Sequence, residues 1–239
     1  MTHGVFITGT DTGVGKTRVG AAIAYLLTQR GLRVRPRKPV ESGCPSGTEG
    51  LIPQDAAALR EASGGIEALE SVCPYRFRAA VSPERAAALE GVTLDLGMLY
   101  RACMADIGDE DFLQVEGAGG FHSPLARGAL NADLAGGLGL PVLIVAADRL
   151  GTINHTLLTV EAIRMRGLAL AGIVLNQPTP ESDPQMDNAH DLECWLRQPV
   201  VYLPYRTVSG AEAWRQEAKV LAPLVDAWLS QSNPPTSPQ

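Results

Sequence analysis

Closely spaced cysteines, an excess of positive charge and long apolar runs are all missing from this 239-residue chain. Its cysteines form no C-x-x-C pair, and its four histidines show no ligand spacing. This pattern argues against a disulfide frame or a zinc site and predicts reduced thiols. The net charge of −6 argues against a nucleic-acid partner, because such a partner needs a basic surface that neutralises phosphates.

No apolar stretch approaches the length of about 20 residues that spans a membrane. The sequence runs from Met1 straight into a strand pattern at Val5, so we expect no signal peptide. Hydrophobic residues make up 45% and charged residues 19%, which are ordinary values for a globular protein with its own core. We therefore expect a soluble, cytoplasmic protein that does not bind a membrane.

Predicted strands alternate with predicted helices along most of the chain. Strands are expected at residues 5–7, 33–40, 112–115, 142–146, 168–175 and 200–203, and helices at residues 16–31, 55–62, 94–107, 153–165, 192–196 and 211–229. Pro36 and Pro39 make the second strand imperfect and place it near a sheet edge or a strand end. Residues 43–53 and most of 63–90 are predicted to be loops, with a short helix beginning at Pro83.

This alternation implies right-handed βαβ units, hence an α/β fold with a mostly parallel central sheet flanked by helices on both faces. No internal repeat and no linker divides the chain, so residues 1–229 are predicted to form a single domain. Residues 230–239 are polar and proline-rich, a composition typical of a disordered tail.

The strongest motif is the glycine-rich segment Gly9–Thr17, which follows the first strand and opens the first helix. There, glycines let backbone N–H groups cradle phosphate oxygens, and the helix N-terminus adds its positive end. Lys16 would reach the β- and γ-phosphates, and the Thr17 hydroxyl would ligate Mg²⁺.

The spacing is one residue longer than the standard motif, with Thr10 where the first glycine belongs. The alternative is a turn that only joins strand to helix, but the order of elements favours a P-loop NTPase-like fold that binds ATP. The loop residues expected to contact the nucleotide are Thr12, Gly13, Val14, Gly15, Lys16 and Thr17.

A partition-type ATPase switch is an alternative function for such a loop. Those proteins resemble this loop but carry a second lysine five residues before the main one, and that position here is Asp11. The proline-rich tail also offers no amphipathic membrane helix. The sequence therefore favours an enzyme over a membrane- or DNA-associated switch.

Several polar side chains fall at the carboxyl ends of predicted strands, where ligands bind in open α/β sheets. Glu116 ends a predicted strand and precedes a glycine cluster, which suits a metal, although a solvated loop glutamate is the alternative. Asn176 could bind a base edge or cap a turn. Lys38 could be a surface lysine, and Ser42 could be loop filler.

Two helix starts have competing interpretations. Asp55 precedes an apolar helical pattern, and spacing alone favours a helix cap. The segment Thr152–His155 opens a helix whose free N–H groups suit a carboxylate, although an uncomplexed helix start is equally compatible.

Taken together, five stretches within residues 5–176 resemble the dethiobiotin synthetase family. They are Thr8–Thr17, Lys38–Gly43, Val115–Gly120, Leu150–His155 and Gly172–Asn176. Their combination is more specific than the phosphate loop alone, and the stretched glycine spacing also agrees with this family. The resemblance implies that 7,8-diaminononanoate, CO₂ and ATP give dethiobiotin, ADP and phosphate, with Mg²⁺. The implied steps are carbamate formation, phosphorylation to a mixed anhydride and closure of a cyclic urea.

The resemblance also implies a role for each matching residue. The catalytic residues would be Lys38, Lys16 and Thr12, and the metal would be held by Thr17, Asp55 and Glu116. Besides the loop, the nucleotide would contact Asp55, Glu116, Gly117, Ala118, Gly119 and Asn176, together with residues 203–212, where Pro204–Arg206 matches only loosely. The substrate would contact Ser42, Lys38, Gly151, Thr152 and Asn154.

The resemblance further implies a homodimer, in which the helix start Gly151–Asn154 receives the carboxylate of a substrate bound by the partner subunit. A corrin-type amidoligase shares the phosphate loop and is a second alternative. That enzyme would normally need a glutamine-hydrolysing domain, for which this chain has no room.

Overall fold

The computed structural model describes residues 3–48, 50–181 and 183–232. The described strands are β1 (His3–Gly9), β2 (Arg33–Arg37), β3 (Val40–Ser42), β4 (Ser46–Gly47), β5 (Gly50–Leu51), β6 (Tyr75–Phe77), β7 (Asp111–Gly120), β8 (Pro124–Ala126), β9 (Ala129–Leu130), β10 (Val142–Ala147), β11 (Leu170–Asn176) and β12 (Val201–Leu203). The described helices are α1 (Lys16–Gln29), α2 (Gln54–Ala62), α3 (Leu69–Val72), α4 (Pro83–Leu89), α5 (Leu96–Met104), α6 (Asn131–Leu138), α7 (Thr152–Met165), α8 (Asn188–Leu196) and α9 (Gly210–Ser232).

Six of the described strands form one parallel sheet in the order β12-β11-β10-β1-β7-β2. β1 lies inside the sheet, with Phe6 opposite Val142 of β10 and Val115 of β7. Parallel neighbours need crossover connections, which helices supply here. All six carboxyl ends therefore meet at one edge of the sheet, and the predicted α/β fold is confirmed.

Successive side chains of β1 face opposite sides of the sheet, as the pleat of a strand requires. Phe6 belongs to a core shared with α5, α6, α7 and α8. Val5 and Ile7 belong to a second core shared with α1, α2 and α9. Helices thus cover both faces of the sheet, as predicted.

The predicted strand 33–40 divides into two. β2 lies at the edge of the described sheet and pairs there with β7, which explains how it accommodates Pro36. β3 instead pairs in parallel with β6 in a separate two-stranded sheet. Lys38 lies between β2 and β3 and is thereby directed to the carboxyl ends of the main sheet.

Glu116 lies within β7 rather than at its end, contrary to the prediction, because β7 continues to Gly120. The ladder with β1 becomes irregular at this point: Ile7 lies opposite Glu116, and Gly9 lies opposite Gly120. Such an irregularity bends the strand. The glycine cluster therefore leaves the regular sheet directly after the glutamate.

Short elements also occupy segments that were predicted to be loops. β4 and β5 form an antiparallel pair within residues 43–53, and residues 63–90 contain α3 and β6. The predicted helix at Pro83 is α4, with proline at its first position, where its missing N–H costs nothing.

The last helix, α9, continues through Ser232 and exceeds its predicted end at residue 229. The rest of the predicted tail, residues 233–239, lies outside the described residues. The prediction of a single domain over residues 1–229 stays a prediction. Among the described residues, no helix combines the length and the apolar character that crossing a bilayer requires.

Candidate active site

The phosphate loop turns sharply between β1 and α1. Gly15 has a φ of +98°, in the left-handed region that favours glycine. A Cβ on Gly15 would collide with the Asn176 side-chain amide, and a Cβ on Gly9 would lie 2.7 Å from the Asp11 carbonyl oxygen. Both positions therefore require glycine. Gly9 serves as the first glycine of the loop, which the standard motif has at the position of Thr10.

Lys16 is buried at the start of α1. Its Nζ donates to the Asp11 backbone carbonyl oxygen over 3.0 Å. Burial, and then repulsion by the Lys38 ammonium, lowers the pKa of Lys16 to about 8. An anion between these two ammonium groups would offset both their desolvation and their repulsion. The arrangement therefore suits phosphate oxygens.

Lys38 lies at the centre of a charged cluster. Its Nζ donates to Glu116 Oε1 over 2.6 Å, to Asp55 Oδ2 over 3.0 Å and to the Gly117 carbonyl oxygen over 3.3 Å. The Thr17 hydroxyl donates to the same Glu116 oxygen over 2.8 Å. Only 3% of Lys38 is exposed, so the alternative of a surface lysine is wrong. We call Thr17, Lys38, Asp55 and Glu116 the lysine–carboxylate cluster.

The pKa values of Lys38 and Asp55 move in opposite directions. Burial by itself lowers the pKa of Lys38, but the Glu116 and Asp55 carboxylates outweigh it and raise that pKa above its usual range. Burial by itself raises the pKa of Asp55, but Lys38 outweighs it and lowers that pKa. Each charge thus stabilises the ionised form of the other.

The three residues predicted to hold Mg²⁺ all belong to the lysine–carboxylate cluster. Glu116 Oε2 is buried and has no hydrogen-bond partner within the described part of the chain, which leaves one carboxylate oxygen for a cation. The described residues contain no group of three or more His, Cys, Asp or Glu side chains that would form a protein-only metal cage. Mg²⁺ in nucleotide sites uses one or two carboxylates together with phosphate oxygens. The side-chain oxygens of Thr17, Asp55 and Glu116 fit this mode of Mg²⁺ binding.

Asp55 does not cap α2, contrary to the expectation from spacing. Pro53 occupies the cap position, and the Glu41 carboxylate accepts hydrogen bonds from the backbone N–H groups of Asp55 over 3.1 Å and Ala56 over 3.0 Å. A carboxylate supplied by β3 thus stabilises the helix N-terminus. The Asp55 side chain is left to bind Lys38. Sequence reasoning missed this role of Glu41, because no local pattern connects a strand residue to a later helix.

Asn131, at the start of α6, is a second residue that sequence reasoning missed. It is fully buried, and its Oδ1 accepts a hydrogen bond from the Ala118 N–H over 3.0 Å. Its Nδ2 donates to the carbonyl oxygens of Ala118, Gly120 and Ser123 over 2.7, 3.0 and 3.3 Å. The amide therefore holds the glycine segment that follows Glu116 in one conformation. A single asparagine offers no sequence signal for this task.

A cavity of about 530 Å³ lies between the phosphate loop and the lysine–carboxylate cluster. The predicted site residues that line this main cavity are Thr12, Gly13, Gly15, Lys16, Thr17, Lys38, Ser42, Asp55, Glu116, Ala118 and Gly119. The Ser42 hydroxyl donates to the Val81 carbonyl oxygen over 2.7 Å. Both residues line the cavity, so this hydrogen bond connects two segments of its wall. Most of the predicted site is thus brought together in one place.

A second cavity, of about 400 Å³, adjoins the first, since Gly13 and Gly15 line both. Asn176 lines this cavity, and its Nδ2 donates to the Val14 carbonyl oxygen over 2.9 Å. Of the loosely matching segment 203–212, residues 205, 206 and 208–210 line it as well. The cavity therefore lies where a base would follow phosphates bound in the loop, and it is called the base cavity below.

The predicted substrate residues at the start of α7 are not brought to the other site residues. Gly151, Thr152 and Asn154 line neither the main cavity nor the base cavity of the described chain. Thr152 is buried, whereas Asn154 is exposed. Arg149, just before this helix start, forms an ion pair with Asp11 of the phosphate loop at 2.9 Å.

The sequence of the chain is similar to those of known enzymes. A family model described as an AAA domain matches residues 3–212. The ATP-dependent dethiobiotin synthetase BioD of Anaeromyxobacter dehalogenans (strain 2CP-C) is 48% identical over 205 residues, which cover 85% of this chain and 90% of that protein. The enzyme of the same name from Rhodopirellula baltica is 40% identical over 209 residues, covering 82% of this chain and 81% of that protein.

Solved structures share the fold at much lower identity. The MinC:MinD cell division protein complex of Aquifex aeolicus gives a TM-score of 0.58 at 14% identity and full coverage of both chains. A ParA family ATPase from Chlorobium tepidum TLS gives a TM-score of 0.52 at 15% identity, covering 96% of this chain and 95% of that chain. These matches show a P-loop NTPase fold and nothing about the reaction.

Proposed function

We propose a mechanism from one premise: the chain belongs to the ATP-dependent dethiobiotin synthetase family. It closes the cyclic urea of dethiobiotin from 7,8-diaminononanoate, CO₂ and ATP. The observation that carries the mechanism is the presence of Lys16 and Lys38 in one cavity beside Glu116 and Asp55. A carbamate and a transferring phosphoryl group are both anionic, and they can approach each other only where positive charge is concentrated.

The reaction balances in three steps. One substrate amine attacks CO₂ and loses a proton, which gives a carbamate. A carbamate oxygen then attacks the γ-phosphorus of ATP, and ADP leaves. The second amine attacks the carbonyl carbon of the mixed anhydride and loses a proton, and phosphate departs as the C–N bond closes the ring.

Lys38 is assigned to the carbamate in this mechanism. All three N–H donors of its ammonium already have partners, namely Glu116, Asp55 and the Gly117 carbonyl oxygen. Binding a carbamate therefore requires the exchange of one contact, and the contact to Gly117 is the longest at 3.3 Å. The carboxylates keep the ammonium ionised and directed into the cavity while that exchange occurs.

Lys16 and Thr12 are assigned to the phosphoryl group, since both line the cavity beside the phosphate loop. Bound Mg²⁺ would supply positive charge shared between phosphate oxygens and protein carboxylates. Thr17, Asp55 and Glu116 are the residues that would hold it. Their main contribution is positioning, because little covalent chemistry falls to the protein.

The active form is proposed to be a homodimer in the cytoplasm, acting on small molecules rather than on a membrane or nucleic acid. The support is that Gly151, Thr152 and Asn154 line neither cavity of their own chain, so a substrate carboxylate would reach them from a site in another copy. Light scattering should show a dimer at micromolar concentration. A fully active monomer at that concentration would contradict this arrangement.

One assay tests the reaction. The protein is mixed with 7,8-diaminononanoate, bicarbonate and MgATP, and dethiobiotin and ADP should form in equal amounts. Omitting the diamine should abolish ADP formation, and Lys16→Ala should reduce it by about 10²-fold or more. ATP hydrolysis that needs DNA or lipid vesicles instead of the diamine would favour a partition-type switch. A requirement for glutamine would favour an amidoligase.

A further inference from the structure

Arg18, the second residue after Lys16, joins three segments that surround the base cavity. Its Nε donates to Glu217 Oε1 of α9 over 2.5 Å, its Nη1 to Asn176 Oδ1 over 2.8 Å and its Nη2 to the Pro204 carbonyl oxygen over 2.9 Å. A guanidinium presents these donors in fixed directions in one plane. The ends of β11 and β12 and the helix α9 are therefore held in one arrangement around the cavity.

The contact with Asn176 determines the orientation of its amide. Asn176 is 2% exposed, its Oδ1 faces the Arg18 guanidinium, and its Nδ2 faces the Val14 carbonyl oxygen. Rotating the amide by 180° would place N–H donors against the guanidinium and one oxygen against another. Arg18 and the phosphate loop thus decide where the amide presents its acceptor and where it presents its donor.

A fixed amide can distinguish bases. Adenine offers an N6 amine as donor beside N7 as acceptor, and an asparagine amide pairs with both. Hypoxanthine has a carbonyl oxygen at C6, so it offers an acceptor where adenine offers a donor. The phosphate loop cannot make this distinction, because all nucleoside triphosphates carry the same phosphates.

We propose that Arg18 is a positioning residue that fixes the Asn176 amide and thereby makes the nucleotide site select adenine. The inference rests on the proposed function, because it places the base in the base cavity. The continuity of that cavity with the phosphate loop through Gly13 and Gly15 supports this placement. Glu217 accepts a hydrogen bond from Arg18 Nε and is itself only 1% exposed.

The test compares two ion pairs that connect the segment of α1 and its C-terminal cap to α9. Arg18→Met/Glu217→Gln removes the pair at the base cavity without leaving a buried carboxylate unpaired, a situation that destabilises proteins strongly. Arg30→Met/Asp226→Asn is the matched control, because Arg30, the residue that caps the C-terminus of α1, pairs with Asp226 of α9 at 2.5 Å, but neither residue lines the base cavity of the described chain. Steady-state kinetics with ATP and with ITP give kcat and KM for each variant. Calorimetric titration with ADP and IDP measures the same selectivity without turnover.

We expect the Arg18 double variant to raise KM for ATP about tenfold, the scale of one charge-assisted hydrogen bond, while KM for ITP changes less. The ATP-over-ITP ratio of kcat/KM and the ADP-over-IDP affinity ratio should each fall about tenfold, and kcat at saturating ATP should change much less. The Arg30 control should keep the parent ratios.

A folded Arg18 double variant that keeps the parent ratios overturns the inference, even if affinity for both nucleotides falls, since Arg18 would then be only structural. If the double variant does not fold, Arg18→Lys takes its place, because it keeps the charge but loses the fork; an unchanged ratio in that variant overturns the inference too. If the parent protein binds ADP and IDP with equal affinity, the site does not select adenine and the inference is wrong. A parent that selects ADP over IDP but forms no dethiobiotin contradicts the proposed reaction and leaves the role of Arg18 standing.

Discussion

Replacing Lys38 with glutamine keeps a hydrogen-bonding group of similar length and removes the positive charge between two carboxylates. The ammonium lies 2.6 Å from Glu116 Oε1 and 3.0 Å from Asp55 Oδ2. The Glu116 side chain is 0% exposed, whereas the Asp55 side chain is 43% exposed. Water can therefore screen Asp55 but not Glu116, and most of the loss falls on Glu116.

Removing one partner of a buried ion pair costs about 3–5 kcal/mol, because the other charge stays buried. We expect a fall in the free energy of unfolding of about 3 kcal/mol at pH 7, the lower end of this range, since Asp55 is screened and Thr17 still donates to Glu116.

The pH dependence of this loss follows from Asp55, whose pKa Lys38 lowers against the effect of burial. A carboxyl with a depressed folded pKa contributes stability above its unfolded pKa and loses it as pH falls through the folded pKa. The share of the difference between parent and variant that Asp55 contributes should therefore be lost as pH falls below about 4.

Urea denaturation without Mg²⁺ or nucleotide measures this difference by linear extrapolation. Lys219→Gln is the matched control, because Lys219 is an exposed lysine of α9 and undergoes the same chemical change. Its stability should stay within about 0.5 kcal/mol of the parent. Equal unfolding midpoints for the two variants would refute the buried lysine–carboxylate cluster.

The same variant tests the carbamate role. Turnover with the diamine and CO₂ should fall about 10²-fold or more, while affinity for ADP without substrate should change modestly. Turnover within a few-fold of the parent would contradict any catalytic role for Lys38. An equal collapse of nucleotide binding would instead assign Lys38 to the phosphate site.

Two further substitutions test the surroundings of the cluster. Glu116→Gln keeps the size but removes the charge, so the apparent affinity for Mg²⁺ in the presence of ADP, measured calorimetrically, should fall about tenfold or more; an unmoved affinity would leave Glu116 with a structural role only. Asn131→Ala removes the amide that holds the glycine segment, and the free energy of unfolding should fall by about 2 kcal/mol in urea. Exposed Asn154→Ala should not lower it measurably, and a comparable loss there would show that the effect is not specific to Asn131.

The phosphate loop and the alternation of strands and helices were predictable because their causes are local. A loop between a strand and a helix needs glycines within a few residues of one another, so Gly9, Gly15 and Lys16 are recognisable from spacing. The edge position of β2 follows from Pro36, which has no N–H to donate to a neighbouring strand. Parallel order then brings all strand ends to one edge, which is why the sequence alone predicts that Glu116 and Asn176 lie near the site.

The contacts of these residues depend on the tertiary structure. Asp55 has the same position in sequence whether it caps a helix or binds a lysine, and the folding of β3 decided between these roles by bringing Glu41 to the helix end. Arg18 and Glu217 are 199 residues apart in the chain, and Lys38 and Glu116 are 78 apart. Local periodicity reports burial and secondary structure, but it carries no information about which distant polar group will satisfy a buried charge. Packing against both faces of the sheet made that choice, because the cost of an unpaired buried charge left few other arrangements stable.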